Sequence, residues 1–305
     1  MTLQSLSDYL ILGTKGFCMG AANVVPGVSG GTMALILGIY EQLITAIHSL
    51  NLRFLRLLAL LKIREAISSV SWPFLLPVGL GILLATVSLA KALSWLLYSY
   101  PVIVWSFFFG LILSSVFTVS RVIREWRIPT FIAIGLGAVG AYFLFGLMPA
   151  ATPDASWFIF LSGFLAICAM ILPGVSGAYI LVLLGKYHYI LEAVNNKDLG
   201  TLLVLIAGAL VGLLSFIRII GWLLRRYHDL TMAILIGLML GSLRKIWPWK
   251  ETVTTFLDSH GKEIPALQIN TLPPSLSSEV GLAVLLMSVG FLVVFSMDFW
   301  TRNKD

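Results

Sequence analysis

Apolar runs about as long as a bilayer is thick recur along this chain, separated by short polar or basic turns. Ten segments stand out, at 9–24, 28–47, 73–98, 101–120, 128–148, 156–172, 175–194, 200–224, 229–247 and 279–299. The pattern predicts an all-α polytopic membrane protein, because a helix in hydrocarbon satisfies its own backbone.

Two junctions break the pattern. "NVVPGVSGGTMALILGIY" (23–40) and "MILPGVSGAYILVLLGKY" (170–187) each interrupt an apolar run with Pro-Gly-Val-Ser-Gly and then resume it. The segment before each break is short for a full crossing. These features predict two re-entrant helix hairpins, 9–47 and 156–194, that enter the bilayer and return to the same side. Broken backbone at membrane depth must be buried in protein or line a wet cavity.

The breaks belong to a longer duplication. At a shift of 147 residues, Gly16, Phe17, Ala22, Pro26, Gly27, Val28, Ser29, Gly30, Leu37, Gly38 and Tyr40 fall on identical residues. At a shift of 127, Gly81 pairs with Gly208, Ser88 with Ser215, Lys91 with Arg218, Trp95 with Trp222 and Gly110 with Gly237. The longer basic loop 48–72 absorbs the change of register, and the last segments of the two halves match poorly. The chain thus divides into 1–150, a hairpin with spans 73–98, 101–120 and 128–148, and 151–305, a hairpin with spans 200–224, 229–247 and 279–299.

Loop charge sets the orientation. Arg53, Arg56, Lys62 and Arg64 place loop 48–72 in the cytoplasm, and Arg121, Arg124 and Arg127 do the same for the next basic turn. The 99–101 and 149–156 connections carry no Lys or Arg and belong outside, as does 248–278. Arg225 and Arg226 return the chain to the cytoplasm, and the tail with Arg302 and Lys304 ends there, so both termini are expected inside. An odd number of crossings per half inverts the second half relative to the first. Secondary transporters use such inverted repeats with broken helices, and bind substrate where the repeats meet.

Composition narrows the function classes. Charged residues make up 11% of the chain and hydrophobic ones 59%, against about 25% charged in soluble domains. The net charge of +6 reads as basic cytoplasmic loops and not as a nucleic-acid surface. The stretch from Tyr9 lacks the basic start of a leader and reads as a membrane segment. Cys18 and Cys168 lie inside apolar runs with no Cys/His cluster, so neither a metal nor a cofactor is expected.

A helix that begins inside the membrane leaves its first N–H groups unpaired, and its positive end suits an anion such as phosphate. The candidate site residues follow. Asn23, Pro26, Gly27, Ser29, Gly30, Gly31 and Thr32 surround the first break, and Pro173, Gly174, Ser176, Gly177 and Tyr179 the second. Lys91 and Arg218, at matching positions inside apolar spans, are candidate counter-charges, since intramembrane cations usually face a cavity or a partner; snorkelling to an interface is the plainer reading. Lys15, Glu41 and Glu192 are candidates for coupling or gating. No catalytic constellation stands out.

These motifs resemble the polyprenyl-phosphate transporter family, the PopT-type undecaprenyl-phosphate translocases, over essentially the whole chain. The second copy departs from the motif, with Ala178 and Tyr179 in place of Gly31 and Thr32. The resemblance implies a bacterial cytoplasmic-membrane protein, not an enzyme, that returns a polyprenyl-phosphate carrier from the outer to the cytoplasmic leaflet by alternating access. Moving an anion inward opposes the membrane potential, which makes a proton or sodium gradient a candidate driving force. The sequence leaves room for an oligomer. Two other readings stay open at this point: a membrane undecaprenyl-pyrophosphate phosphatase and a transporter of small soluble anions.

Overall fold

The computed structural model describes residues 5–24, 29–257, 263–273, 275 and 277–302. Pro26 and Gly27, expected at the first break, and Lys304, used for the orientation of the tail, lie outside the described residues. The first half comprises α1 (Leu6–Val24), α2 (Gly30–Ile36), α3 (Tyr40–His48), α4 (Leu52–Ala59), α5 (Ile63–Ser68), α6 (Trp72–Ser99), α7 (Pro101–Ser120) and α8 (Ile128–Leu144). The second comprises α9 (Ser156–Ile171), α10 (Gly177–Leu183), α11 (Tyr187–Asn195), α12 (Leu199–Arg226), α13 (His228–Ile246), β1 (Lys250–Leu257), β2 (Glu263–Asn270) and α14 (Ser278–Arg302). Among the described residues four helices are long and apolar enough to cross a membrane: α6, α7, α12, and α14 over Ser278–Ser296. The protein is a mainly helical membrane protein.

The structure departs from the expected elements in three places. The second arms of the hairpins, expected as continuous helices, are each divided. Gly38 and Gly185 stand at φ +67° and +65°, a region glycine enters without strain. Beyond them the Ile39 N–H reaches back to the Ala34 carbonyl at 2.9 Å, and the Lys186 N–H to Leu181 at 2.8 Å. Each is a left-handed helix stop that satisfies carbonyls the helix would otherwise leave open. Loop 48–72 contains two short helices, α4 and α5. The 248–278 loop contains an antiparallel β-hairpin, paired from Lys250 opposite Asn270 to Leu257 opposite Glu263 with a break in register around Thr254. Its first strand, KETVTTFL, is rich in the β-branched residues that suit a pleated surface.

Proline chemistry sets the α6–α7 turn. Pro101 opens α7, and the residue before a proline is driven out of the helical region; Tyr100 sits at φ −137°, ψ 55°. Tyr227, between α12 and α13, adopts φ −134°, ψ 52° without any proline.

Helix pairing is set by backbone-to-backbone approach at glycines. A methyl group on Gly81 of α6 would stand 2.1 Å from the Gly13 carbonyl of α1, and one on Gly208 of α12 would stand 2.0 Å from the Phe160 carbonyl of α9. Gly110 of α7 meets Met287 of α14 in the same way, and Gly237 of α13 meets Ile134 of α8. Gly137 approaches Ile234, and Gly290 approaches Phe107, in the same way. Each of these contacts made by the first half thus has a counterpart made by the second. Gly137 and Gly290, like Ile134 and Met287, lie 153 residues apart, a third register that carries the correspondence into α8 and α14. Small residues at such crossings let helices pack where lipid offers no hydrophobic drive for association. The best-buried core lies where α7 meets α13, around Ile112, Leu235, Ile236 and Met239.

Candidate functional site

The second break frees acceptors at the end of α9. Leu172 is extended, at φ −72° and ψ 133°, and Gly174 takes φ +82°, so the chain turns away from the helix. The carbonyls of Ile171 and Leu172 then face the start of α2. Ser29 donates its hydroxyl to the Leu172 carbonyl at 3.2 Å, and the Tyr40 hydroxyl donates to the Ile171 carbonyl at 3.3 Å. In return the Gly174 N–H donates to the Thr32 hydroxyl oxygen at 2.8 Å. Gly31 permits the approach, because a methyl group there would lie 2.8 Å from the Ile171 carbonyl oxygen. Ser29 and Thr32 are 1% and 0% exposed. Residues about 140 positions apart in the chain thus meet in one dry polar contact.

Around the first break, local caps hold the donors in this conformation. The Gly30 N–H goes to Asn23 Oδ1 at 2.7 Å, and the Thr32 N–H to Ser29 Oγ at 3.2 Å. Ser29 is a conventional N-cap in extended geometry. The second break is built differently. Ser176 makes no capping hydrogen bond. Pro173 and Gly177 are buried. Tyr179 turns away from the break: its hydroxyl donates to the Leu144 carbonyl at 3.2 Å, and its ring lies 4.9 Å from that of Phe145.

The short arm α10 returns to where α9 began. The Ala150 N–H donates to Leu183 at 2.9 Å, and the Thr152 hydroxyl to the Leu184 carbonyl. Lys186, 2% exposed, donates to the Thr152 carbonyl at 2.9 Å and pairs with Asp154. In the first half Lys15 ties α1 to the end of α2, donating to the Leu37 carbonyl at 2.9 Å.

The remaining expected residues lie apart from the contact between the breaks. Glu41 is bonded to His228 at 3.0 Å, and Asp229, on the other side of that ring, accepts the Arg124 and Glu125 N–H groups. This knot ties α3 to the α12–α13 turn. Glu192 is exposed on α11 with no ion pair among the described residues. Lys91 and Arg218 are both exposed, each the twentieth residue of a 28-residue helix, so each lies about 12 Å from its helix's C-terminal end. Among the described residues neither makes a hydrogen bond to either break.

Some polar groups escaped the sequence reading. Ser106 and Ser114 on α7 are fully buried with no hydrogen-bond partner among the described residues, and α7 packs on α2. Lys245 and Lys250 are described below. A serine in an apolar helix carries no sequence signal of its surroundings, and the two lysines look like ordinary charges at a span's end and in the loop that follows.

Comparison with known proteins identifies the family. The family model described as undecaprenyl phosphate translocase-like matches residues 19–264. A protein of Vibrio cholerae named polyprenyl-phosphate transporter is 42% identical over 308 residues, 99% of each chain. The chain belongs to the undecaprenyl phosphate translocase-like family. A Staphylococcus aureus protein of the same name is 31% identical over 257 residues, covering 77% of this chain and 84% of its own. These relatives are named as transporters and not as enzymes. No solved structure matches the chain.

Proposed function

We propose that this protein is a polyprenyl-phosphate translocase of the cytoplasmic membrane, and that the phosphate head passes through the place where the two breaks meet. The observation that carries the reading is the dry contact of Ser29 and Thr32 with Leu172 and Gly174. Hydroxyls and an N–H that satisfy one another here are the groups a phosphate would need once the contact opens, so the present conformation is the closed one. Ser176 joins them on the second side and Asn23 on the first, while Tyr179, whose hydroxyl goes to Leu144, does not. The relatives' names supply the substrate class.

In this reading 1–150 and 151–305 are inverted repeats, and the matched glycine contacts support that arrangement. The returning arms α2 and α10 make each hairpin re-entrant, which leaves both termini in the cytoplasm. Rocking of the repeats exposes the head-group site first to the outer leaflet and then to the inner one, while the prenyl tail stays in lipid. Lys91 and Arg218 would meet the anionic head along the exposed faces of α6 and α12. A proton or sodium gradient drives the inward step, with Glu41 and Glu192 as carriers and Lys15 holding the gate at the end of α2.

The test is head-group translocation of a labelled polyprenyl phosphate in proteoliposomes. The proposal expects protein-dependent crossing, slowed in Lys91→Ala and Arg218→Ala. Crossing no faster than in empty liposomes would refute it, and unchanged rates in both variants would remove the two cations from the pathway.

A further inference from the structure

Two lysines at one end of the molecule lie close together with no counter-ion among the described residues. Lys245 lies in the last turn of α13 and Lys250 opens β1. The Lys245 ammonium sits 5.2 Å from the centre of the Tyr179 ring, and the Lys250 ammonium 4.4 Å from that of Trp105. Aromatic faces thus hold both cations where carboxylates would be expected. Among the described residues neither makes an ion pair, and the one hydrogen bond is from the Lys250 ammonium to the Lys245 carbonyl. Burial, with the Lys245 charge adding to it, pushes Lys250 down to about 7. Two crowded, partly dehydrated ammoniums are costly unless one sheds its proton or something anionic completes them, and the second route keeps both charged.

The space for that anion is present. A cavity of about 370 Å³ is lined by Lys250, Trp105, Thr252, Gln268 and Thr271, together with Pro101 and Val102. The last two are the first residues of the 20-residue helix α7, whose N-cap Tyr100 makes no side-chain cap. The positive end of a long helix therefore opens into the same cavity as the Lys250 ammonium. The frame is firm: Trp247 donates its indole N–H to the Thr271 carbonyl at 2.8 Å, and Asn270 donates to the Arg244 carbonyl at 2.8 Å.

We infer that this cavity binds a phosphate monoester, with Lys250 as its counter-charge, Lys245 adding positive charge from behind it, and the start of α7 as its donor end. Tyr179, in the first turn of α10, lies beneath Lys245 beside this cavity, so the cavity is a capture station from which a head group passes to the site between the breaks. The identity of the ligand rests on the translocase reading; the fit of the site to an anion does not. Under the proposed orientation this end faces outward, where a carrier destined for the cytoplasmic leaflet is met.

The experiment uses the full chain in nanodiscs and measures binding of farnesyl phosphate, inorganic phosphate and, as an uncharged control, farnesol. Farnesyl phosphate should bind, and farnesol should not. Lys250→Met should weaken farnesyl phosphate binding about tenfold or more, the loss expected for one charge-assisted hydrogen bond, Lys245→Met should weaken it less, and Lys250→Arg should retain binding. Ligand-induced thermal stabilisation provides a second readout and reports whether each variant is folded. Binding of inorganic phosphate alone, lost in Lys250→Met, would uphold the anion site and overturn the lipid reading. Farnesyl phosphate binding that is unchanged in both Met variants would uphold the translocase and overturn this site. Failure of the wild type to bind either phosphate would overturn the inference outright.

Discussion

Thr32→Val tests the joint between the two halves at its most buried point. The swap keeps the shape of the side chain and removes the acceptor for the Gly174 N–H, which now lies 2.8 Å from the Thr32 oxygen. Thr32 is 0% exposed, so no water takes its place in the closed conformation. Leaving a buried donor unpaired costs about 1–3 kcal/mol, which corresponds to roughly 5–150-fold in the population of the open form. Hydrogen–deuterium exchange by mass spectrometry reads this directly. The peptide that contains Gly174 should lose protection by about that factor, while α8 and α13 keep theirs. In proteoliposomes the same variant should change the translocation rate at equal protein incorporation. Unaltered exchange at Gly174, in a folded variant, would show that the contact between the breaks does not hold the closed state.

The glycine contacts predict a sharp contrast: Gly110→Ala drives a methyl group to 1.9 Å from the Met287 carbonyl and should abolish folded yield, whereas Gly135→Ala meets nothing within 4 Å and should leave yield and melting unchanged. Asp154→Asn leaves the buried Lys186 ammonium without its carboxylate and should lower stability by about 1–3 kcal/mol, read as a lower melting temperature. Lys250 predicts a pH dependence. Its folded value of about 7 lies below its ordinary 10.5, so between these values the unfolded chain binds more protons and stability rises with pH, while below about pH 7 this contribution is constant. Thermal melts of the ligand-free protein should therefore climb from pH 7 to 10, and Lys250→Met should flatten that slope.

Much of this architecture was legible because membrane helices announce themselves by length and apolarity, and because the duplication repeats whole motifs. Gly81 and Gly208 fall into register in the sequence for the same reason that they pack alike: each is where a neighbouring backbone passes. The correspondence of α8 with α14 was not legible, since it rests on Gly137 and Gly290 inside otherwise dissimilar lipid-facing sequence. Gly38 and Gly185 were visible as a matched pair, yet their left-handed turns look in sequence like one more glycine in an apolar run. The β-hairpin was hidden because a long polar loop gives no hint of its pairing partner. At the site, the two breaks and their meeting where the repeats join were readable, but the partners in the contact were not: Ser29 meets Leu172 through a backbone carbonyl, which leaves no mark on residue identity. Lys245 and Lys250 are recognisable as a pair only when Trp105 and Tyr179 are seen beneath them.

The most direct measurement maps where the head group goes. A polyprenyl phosphate bearing a photoreactive diazirine in its first isoprene unit can be cross-linked to the protein in nanodiscs, and the adducts located by mass spectrometry. The account predicts adducts on both sides of the joint, in the first turn of α2 around Ser29–Thr32 and in the α9–α10 connection around Leu172–Gly177. Adducts confined to the outer faces of α6 and α12, with neither break labelled, would contradict it.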